Sequence, residues 1–317
     1  MVMRKESILI TGGAGFIGSH TVEQLLEEGH AVRVLDNFSS GKRSNLPDHP
    51  RLEIHEGDIC RRDDVRAAMQ DIDRCLHLAA QVSVAFSLEH PDLSAVQNIN
   101  GTVNVMHAAR IHGIKRLVFA SSAAIYGVPQ QLPLTEDSAV APLSPYGLEK
   151  SVNEQYAMLM TQLHDMPMLG LRYFNIYGPR QDPKSPYAGV ISLFVDRLTA
   201  GQAPQIYGDG QQTRDFVFVK DIARANSAAL FSTHRGVCNV ATGGRVSLLE
   251  LLDNLQKLLG TSLQAEFLAA RAGDIQHSQG CPQRLGEWLN LIPRWSLDDG
   301  LRELLQARPS THDSNAI

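Results

Sequence analysis

Thr11-Gly12-Gly13-Ala14-Gly15-Phe16-Ile17-Gly18 follows the apolar run Ser7-Ile8-Leu9-Ile10 and precedes a helical pattern running from Phe16 to Glu28. A buried strand thus feeds a glycine turn that opens a helix. Glycines at 12, 15 and 18 give the spacing G-x-x-G-x-x-G. The first permits the tight turn, the second lets backbone approach a pyrophosphate, and the third lets the helix pack closely on the strand. The helix start then presents free N–H groups and a positive dipole end to an anion.

The surroundings sharpen that reading. Val32-Arg33-Val34-Leu35 reads as a second strand and Asp36 ends it, about 20 residues beyond the turn, where an acid accepts both ribose hydroxyls of NAD. A 2′-phosphate is repelled there, so NAD is expected rather than NADP. The other reading is a structural turn followed by a surface Asp. The polar loop Asn37-Phe38-Ser39-Ser40-Gly41-Lys42 is placed to fold over an adenosine. Leu52-Glu53-Ile54-His55 reads as a third strand, followed by Gly57-Asp58-Ile59. Asp58 either meets the adenine edge or caps the helix that starts near Arg62.

Strands alternate with helices up to about Arg172, which predicts a doubly wound parallel α/β sheet of the Rossmann type. Arg74–Leu78 is the fourth strand and leads into the small residues Ala79-Ala80-Gln81, against which a flat cofactor can lie. A long helix is expected from Asp92 to His112. Asn98 on it is a solvated residue or an anchor for the loop beyond the next strand. Arg116–Ala120 is the fifth strand, ending in Ser121-Ser122-Ala123-Ala124-Ile125-Tyr126-Gly127. Past Arg172 the alternation loosens into Pro-, Gly- and Tyr-rich pieces, with helical patterns at 191–200, 222–232 and 248–259. We read residues 1–172 as a dinucleotide-binding domain to which about 215–240 return, 173–307 mainly as a smaller discontinuous substrate lobe, and 308–317 as a frayed tail.

Bulk properties narrow the function classes. The 317 residues are 43% hydrophobic and 20% charged, with net charge −5, so there is no basic field for nucleic acid or anionic membrane. No apolar run approaches the roughly 20 residues of a membrane span, and the chain enters its first strand without a signal peptide. Cys60, Cys75, Cys238 and Cys281 are scattered, as expected of reduced thiols in a cytoplasmic protein. The 12 histidines do not cluster at ligand spacing, and no metal site is expected.

Tyr146 and Lys150 are four apart on the helix opened by Ser144-Pro145, hence on one face. A serine at the end of the preceding strand can meet that face, and the trio suits proton transfer to and from an alcohol beside a nicotinamide. A free tyrosine has a pKa of about 10, so a base working near neutrality needs it lowered by about three units. A lysine ammonium and a positive nicotinamide ring both act in that direction. Alone, the Y-x-x-x-K spacing is also that of an ordinary surface pair.

With these residues in place the chain resembles the extended short-chain dehydrogenase/reductases, and within them the UDP-sugar 4-epimerases. The resemblance spans nearly the whole chain through TGGAGFIG (11–18), DNFSSGKRSN (36–45), GDI (57–59), HLAAQ (77–81), NINGT (98–102), SSAAIYG (121–127), SPYGLEK (144–150), RYFNIYGPRQ (172–181), DGQQTRDFVFV (209–219) and RAGDI (271–275). It implies Tyr146 as base, with Lys150 tuning it and holding the nicotinamide ribose. Ser122 takes the family's serine position, and Ser121 beside it is the alternate. It implies an NAD site lined by Gly12, Gly15, Phe16, Ile17, Gly18, Asp36, Asn37, Ser39, Ser40, Gly41, Asp58, Ile59, Ala79, Ala80, Gln81 and Asn98 besides Tyr146 and Lys150. For the UDP-sugar it implies Ser83, Ser122, Tyr146, Asn175, Arg214, Arg271, Asp274 and Ser278. A homodimer is implied, with helices 92–112 and 146–164 meeting their symmetry mates in a four-helix bundle.

Two positions speak to the family member. Related 4,6-dehydratases carry Asp-Glu where this chain has Ala123-Ala124, which cannot eliminate water. Members restricted to UDP-glucose carry a bulky Tyr four residues after the Asp of RxGD, where Ser278 stands, and a serine leaves room for an N-acetyl group. Interconversion of UDP-GlcNAc and UDP-GalNAc is therefore expected, with plain UDP-hexoses also admitted. The alternatives are a UDP-glucose-preferring epimerase and a non-catalytic UDP-sugar- and NAD-binding regulator.

Overall fold

Ile8 and Ile10 enter one hydrophobic core while Leu9 enters another. That alternation, with every side chain apolar, belongs to a parallel strand covered on both faces. The computed structural model describes residues 5–182, 189–270 and 274–308. In chain order the first elements are β1 (Ser7–Thr11), α1 (Phe16–Glu27), β2 (Ala31–Asp36), β3 (Leu52–Glu56), α2 (Arg62–Met69) and β4 (Arg74–His77). There follow α3 (Val84–Glu89), α4 (Pro91–Ala95), a π-helical turn (Val96–Asn100), α5 (Gly101–Ile111), β5 (Arg116–Ser122), α6 (Pro145–His164), β6 (Met168–Tyr173), β7 (Asn175–Tyr177) and α7 (Val190–Thr199). The remainder is β8 (Gln205–Tyr207), β9 (Thr213–Arg214), β10 (Phe216–Phe218), α8 (Val219–Phe231), β11 (Gly236–Val240), β12 (Val246–Ser247), α9 (Leu248–Leu259), β13 (Glu266–Leu268), α10 (Gln283–Leu289) and α11 (Leu297–Gln306).

Seven parallel strands form the main sheet in the order β11-β6-β5-β4-β1-β2-β3. The chain reverses direction between β1 and β4, and at such a switch point the carboxyl ends of the strands open a crevice for ligands. α1 and α8 pack together on one face, whereas α2, α5 and α6 contribute to the core on the other. The late strand β11 extends the sheet beyond β6. A third core, around Phe194, Phe218, Leu251 and Leu301, joins α7, α9 and α11 to the short strand pairs β7–β10, β9–β12 and β8–β13.

The helix expected from Asp92 to His112 is interrupted. The π turn lies between α4 and α5, and the backbone remains right-handed helical through both junctions. Such a turn inserts a residue into the helical ladder and re-aims the side chains around it. Its effect here is on Asn98. Beyond Arg308 the tail lies outside the described residues, as do parts of the Pro-rich piece at 183–188. Among the described residues no helix is long and apolar enough to cross a membrane.

Candidate active site

The glycine turn is built for close approach. Gly12 has φ +72°, and a Cβ there would sit 2.7 Å from the Ala79 nitrogen at the exit of β4. A Cβ on Gly18 would run into the Gly12 carbonyl oxygen. Gly15 is the N-cap of α1 and offers no side chain. Phe16 then packs toward the third core and Ile17 toward the first. The bare helix start therefore faces outward beside β4 with its N–H groups free to bind an anion.

Asp36, buried at the end of β2, accepts from the Ala14 N–H with Oδ2 and from the Phe38 N–H with Oδ1, each at 2.9 Å. Each oxygen keeps a lone pair for a ribose hydroxyl. Gly41 lies against Ala14 and this carboxylate, and the Lys42 N–H and Asn45 Nδ2 both donate to the Ala14 carbonyl, at 3.0 and 2.9 Å. The loop after β2 is thus closed onto the glycine turn. Asn37 donates to Asp58 Oδ2 at 3.2 Å and accepts from the Ser39 N–H and Oγ, while Ser40 is exposed. Asp58 also accepts from the Cys60 N–H at 2.8 Å, and the N-cap of α2 is Arg61, so the cap reading of Asp58 is corrected. Burial raises the Asp58 carboxyl, and the hydrogen bonds from Cys60 and Asn37 outweigh it and leave it lowered. Ile59 is buried against Gly101.

Asn98 anchors a loop, but not the one beyond the next strand. Its Oδ1 accepts from the Gln81 N–H and its Nδ2 donates to the Gln81 carbonyl, both at 2.9 Å. It therefore fixes the Ala79-Ala80-Gln81 exit of β4, the strand before it. Its own carbonyl accepts from Thr102 Oγ1 (2.6 Å) and Asn153 Nδ2 (3.0 Å). Beneath that exit, buried His77 is held by Thr11 Oγ1 at 2.7 Å and Thr102 Oγ1 at 3.0 Å.

Ser122 hydrogen-bonds the Tyr146 hydroxyl. Lys150 donates to the Ala120 carbonyl at 3.1 Å, with Nζ 5.7 Å from the Tyr146 ring centre. Ser121 is corrected as the alternate. Successive strand residues face opposite ways, and Ser121 Oγ donates at 2.6 Å to Glu154, which Arg172 clamps with two bonds of 2.9 and 2.7 Å. Burial brings Lys150 down to about 8, opposed by the Glu149 carboxylate. Burial also pushes the Tyr146 phenol above its ordinary range, the Ser122 bond draws it back, and Glu149 pushes it further up. Of the groups acting on the phenol here, Ser122 is the one that lowers it.

Ser278 is buried, and its N–H donates to the Thr213 carbonyl at 3.1 Å. Arg214, beside Thr213, donates to the Thr213 carbonyl at 2.9 Å. Burial lowers the Arg214 guanidinium, and the exposed Asp274 carboxylate raises it. Asn175 begins β7, with its N–H on the Asp215 carbonyl at 3.0 Å. Ser83 is the N-cap of α3, accepting from the Phe86 N–H at 2.9 Å. Arg271 lies outside the described residues. Sequence reasoning missed Asp215, fully buried, which accepts from Thr242 N (2.9 Å), Thr242 Oγ1 (2.6 Å), Gly243 N (3.0 Å) and Gly280 N (3.1 Å). The glycines at 243, 244 and 280 were the available signal, but they name no partner.

A switch-point crevice, a close-approach glycine turn with a buried acid opposite it, and a serine–tyrosine–lysine trio are the arrangement of a dinucleotide-dependent enzyme. The chain belongs to the NAD dependent epimerase/dehydratase family, whose model matches residues 8–241. It is 40% identical over 300 residues to a putative UDP-glucose 4-epimerase of Methanocaldococcus jannaschii, covering 94% of this chain and 97% of the relative. A UDP-N-acetylglucosamine 4-epimerase from Methanobrevibacter ruminantium, solved with UDP-N-acetylmuramic acid, superposes with TM-score 0.93 at 36% identity, covering 96% of this chain and 98% of the other. The UDP-glucose 4-epimerase of Thermus thermophilus in complex with NAD gives 0.87 at 36% identity, covering 95% and 98%.

Proposed function

We propose that this protein is an NAD-dependent UDP-N-acetylglucosamine 4-epimerase that interconverts UDP-GlcNAc and UDP-GalNAc and also accepts UDP-glucose and UDP-galactose. The observation that carries the N-acetyl preference is Ser278, a small buried side chain docked on the strand that bears Arg214. Arg214, with Asn175, Asp274 and Arg271, would hold the UDP, two arginines suiting a diphosphate. Ser83 would reach the sugar from the start of α3. The glycine turn, Asp36 to Gly41, Asp58, Ile59, Ala79 to Gln81 and Asn98 would hold NAD, Asp36 selecting the free ribose hydroxyls. Residues 1–172 with about 215–240 then form the NAD unit and 173–307 mainly the substrate unit of a cytoplasmic enzyme.

NAD held by these residues would supply reversible hydride transfer at sugar C4 and a positive ring beside Tyr146. Tyr146 removes the C4 hydroxyl proton and later gives it back. Ser122 orients that hydroxyl through its bond to Tyr146. Lys150 keeps a positive charge beside the phenolate. Ala123 and Ala124 offer no acid or base, so the 4-keto sugar loses no water.

Purified protein without added NAD is expected to form UDP-GalNAc from UDP-GlcNAc faster than UDP-galactose from UDP-glucose, followed by proton NMR at the anomeric signals. Ser278→Tyr is expected to cut kcat/KM for UDP-GlcNAc at least about tenfold while leaving UDP-glucose within about threefold. Faster UDP-glucose turnover in the native protein, or acetamido turnover untouched by the substitution, overturns the preference. The UDP-glucose-preferring alternative draws on the likeness to the UDP-glucose 4-epimerases, putative in Methanocaldococcus jannaschii and NAD-bound in Thermus thermophilus.

The same reading includes a homodimer. α4, the π turn and α5 pack beside α6, and together they turn Leu93 (51% exposed), Val96, Ile111, Leu148, Leu159 and Leu163 (71% exposed) outward. A second copy would cover these apolar stripes as a four-helix bundle. Light scattering is expected to give about twice the 34.8 kDa chain mass, falling to one in Leu159→Asp/Leu163→Asp. A monomeric native protein overturns it.

A further inference from the structure

Glu149 lies one residue from Lys150 and is 3% exposed. Neighbouring helix residues stand about 100° apart around the axis, so Glu149 turns away from the tyrosine–lysine face and toward α4 and the π turn. Its Oε2 accepts from Ser94 Oγ at 2.9 Å and from Asn98 Nδ2 at 2.6 Å, while its Oε1 is buried without a partner. The nearby cation is Lys150, with which it makes no direct ion pair. The two act on each other through a poorly screened interior.

Among the described residues, the other titratable groups around the trio do not oppose that charge. His77 from β4 is neutral, burial holding it down at about 3. From β6, burial keeps the Tyr173 phenol protonated, and Arg172 is closed by Glu154. Ser87 of α3, whose Oγ accepts from the Tyr146 N–H at 3.2 Å, carries no charge, nor do Ser94 and Asn98.

Resting on the epimerase reading above, we propose that Glu149 is a positioning residue for the reaction: its buried carboxylate keeps Lys150 charged beside Tyr146 and, through Asn98, ties α6 to the Gln81 loop where the nicotinamide half of the cofactor would lie. The carboxylate raises the proton affinity of Lys150 and of Tyr146 alike. It thereby sets the pH window in which a phenolate and an ammonium coexist.

The sign of the test follows. Glu149→Gln keeps the shape and an acceptor for Ser94 and Asn98 but removes the charge, so both proton affinities fall. The whole pH profile of kcat is expected to slide to lower pH by about one unit, raising the ratio of activity at pH 6 to that at pH 9 about tenfold or more. Glu149→Asp keeps the charge and is expected to leave the profile in place while loosening NAD retention. A loss by the same factor at every pH in Glu149→Gln, or a slide in Glu149→Asp, overturns the inference. Tyrosinate absorbance needs no turnover. With the Tyr146→Phe signal subtracted, its midpoint is expected to fall in Glu149→Gln, and an unmoved midpoint overturns the inference whatever the turnover. Absence of turnover in the native protein on either UDP-hexose refutes the epimerase reading separately.

Discussion

Tyr146→Phe is expected to reduce kcat about a thousandfold, at the upper middle of what general acid–base groups supply, while NAD content and unfolding midpoint stay at native values. The substitution removes one oxygen from a ring already packed between Ser122 and Lys150. Phenylalanine fills the same volume, and the hydrogen bond lost at Ser122 is to a hydroxyl that also accepts from the Ala124 N–H at 3.1 Å. No buried group is orphaned, so the fold has no reason to respond. The reaction does: among the described residues, the other titratable side chains near that position are already engaged. Lys150 is cationic near neutrality, with its proton engaged at the Ala120 carbonyl, and Glu154 is committed to Arg172 and Ser121. Anomeric proton NMR for turnover, and acid release of NAD for occupancy, separate the two effects. A variant within about tenfold of native turnover would place the base elsewhere.

How far such roles can be read from a chain depends on whether the partners are local. The dinucleotide half was legible because each of its signals is a short pattern. Ile8-Leu9-Ile10 is apolar on both faces, as a covered parallel strand must be, and the glycine spacing requires only the turn itself. Tyr146 and Lys150 were legible for the same reason, since a helix fixes the face they share. The Ser121–Ser122 doublet was not, because alternation sends the two serines opposite ways without saying which way is first. Glu149 sat unread inside the SPYGLEK motif, its partners Ser94 and Asn98 lying 55 and 51 residues away. The π turn that aims Asn98 leaves no periodicity of its own. In the substrate half, β9 pairs with β12 and β7 with β10 across long stretches of chain, and strands of two or three residues are too short to show a period.

Asp215 is the sharpest case of such a non-local role, and Asp215→Ala is expected to cost at least about 3 kcal/mol of stability. Its two oxygens hold Thr242 and Gly243, just after β11, and Gly280, two residues past Ser278, while its own carbonyl holds the Asn175 N–H. Three backbone N–H groups and a hydroxyl therefore converge on one fully buried carboxylate. Alanine leaves these donors without their acceptor, the Gly280 N–H fully buried and the Thr242 and Gly243 groups half-buried, each unmet buried group costing about 1–3 kcal/mol. Asparagine does not restore them, because its amide turns a donor toward donors. Burial raises this carboxyl and the four hydrogen bonds lower it, so the group is kept for its acceptors at an electrostatic cost. Arg214 precedes it in the chain and Ser278 lies on one of the segments it ties, so loosening this knot displaces both. Below its unfolding temperature the variant is expected to show a KM for UDP-sugars raised more than its kcat is lowered, since Ser122, Tyr146 and Lys150 stand on β5 and α6, outside the segments tied to Asp215. Denaturant unfolding and steady-state kinetics on the same preparation measure both. An unfolding midpoint equal to the native one would show that solvent or neighbouring groups satisfy these donors, and an unchanged KM would show that the knot does not hold the sugar-nucleotide side of the site.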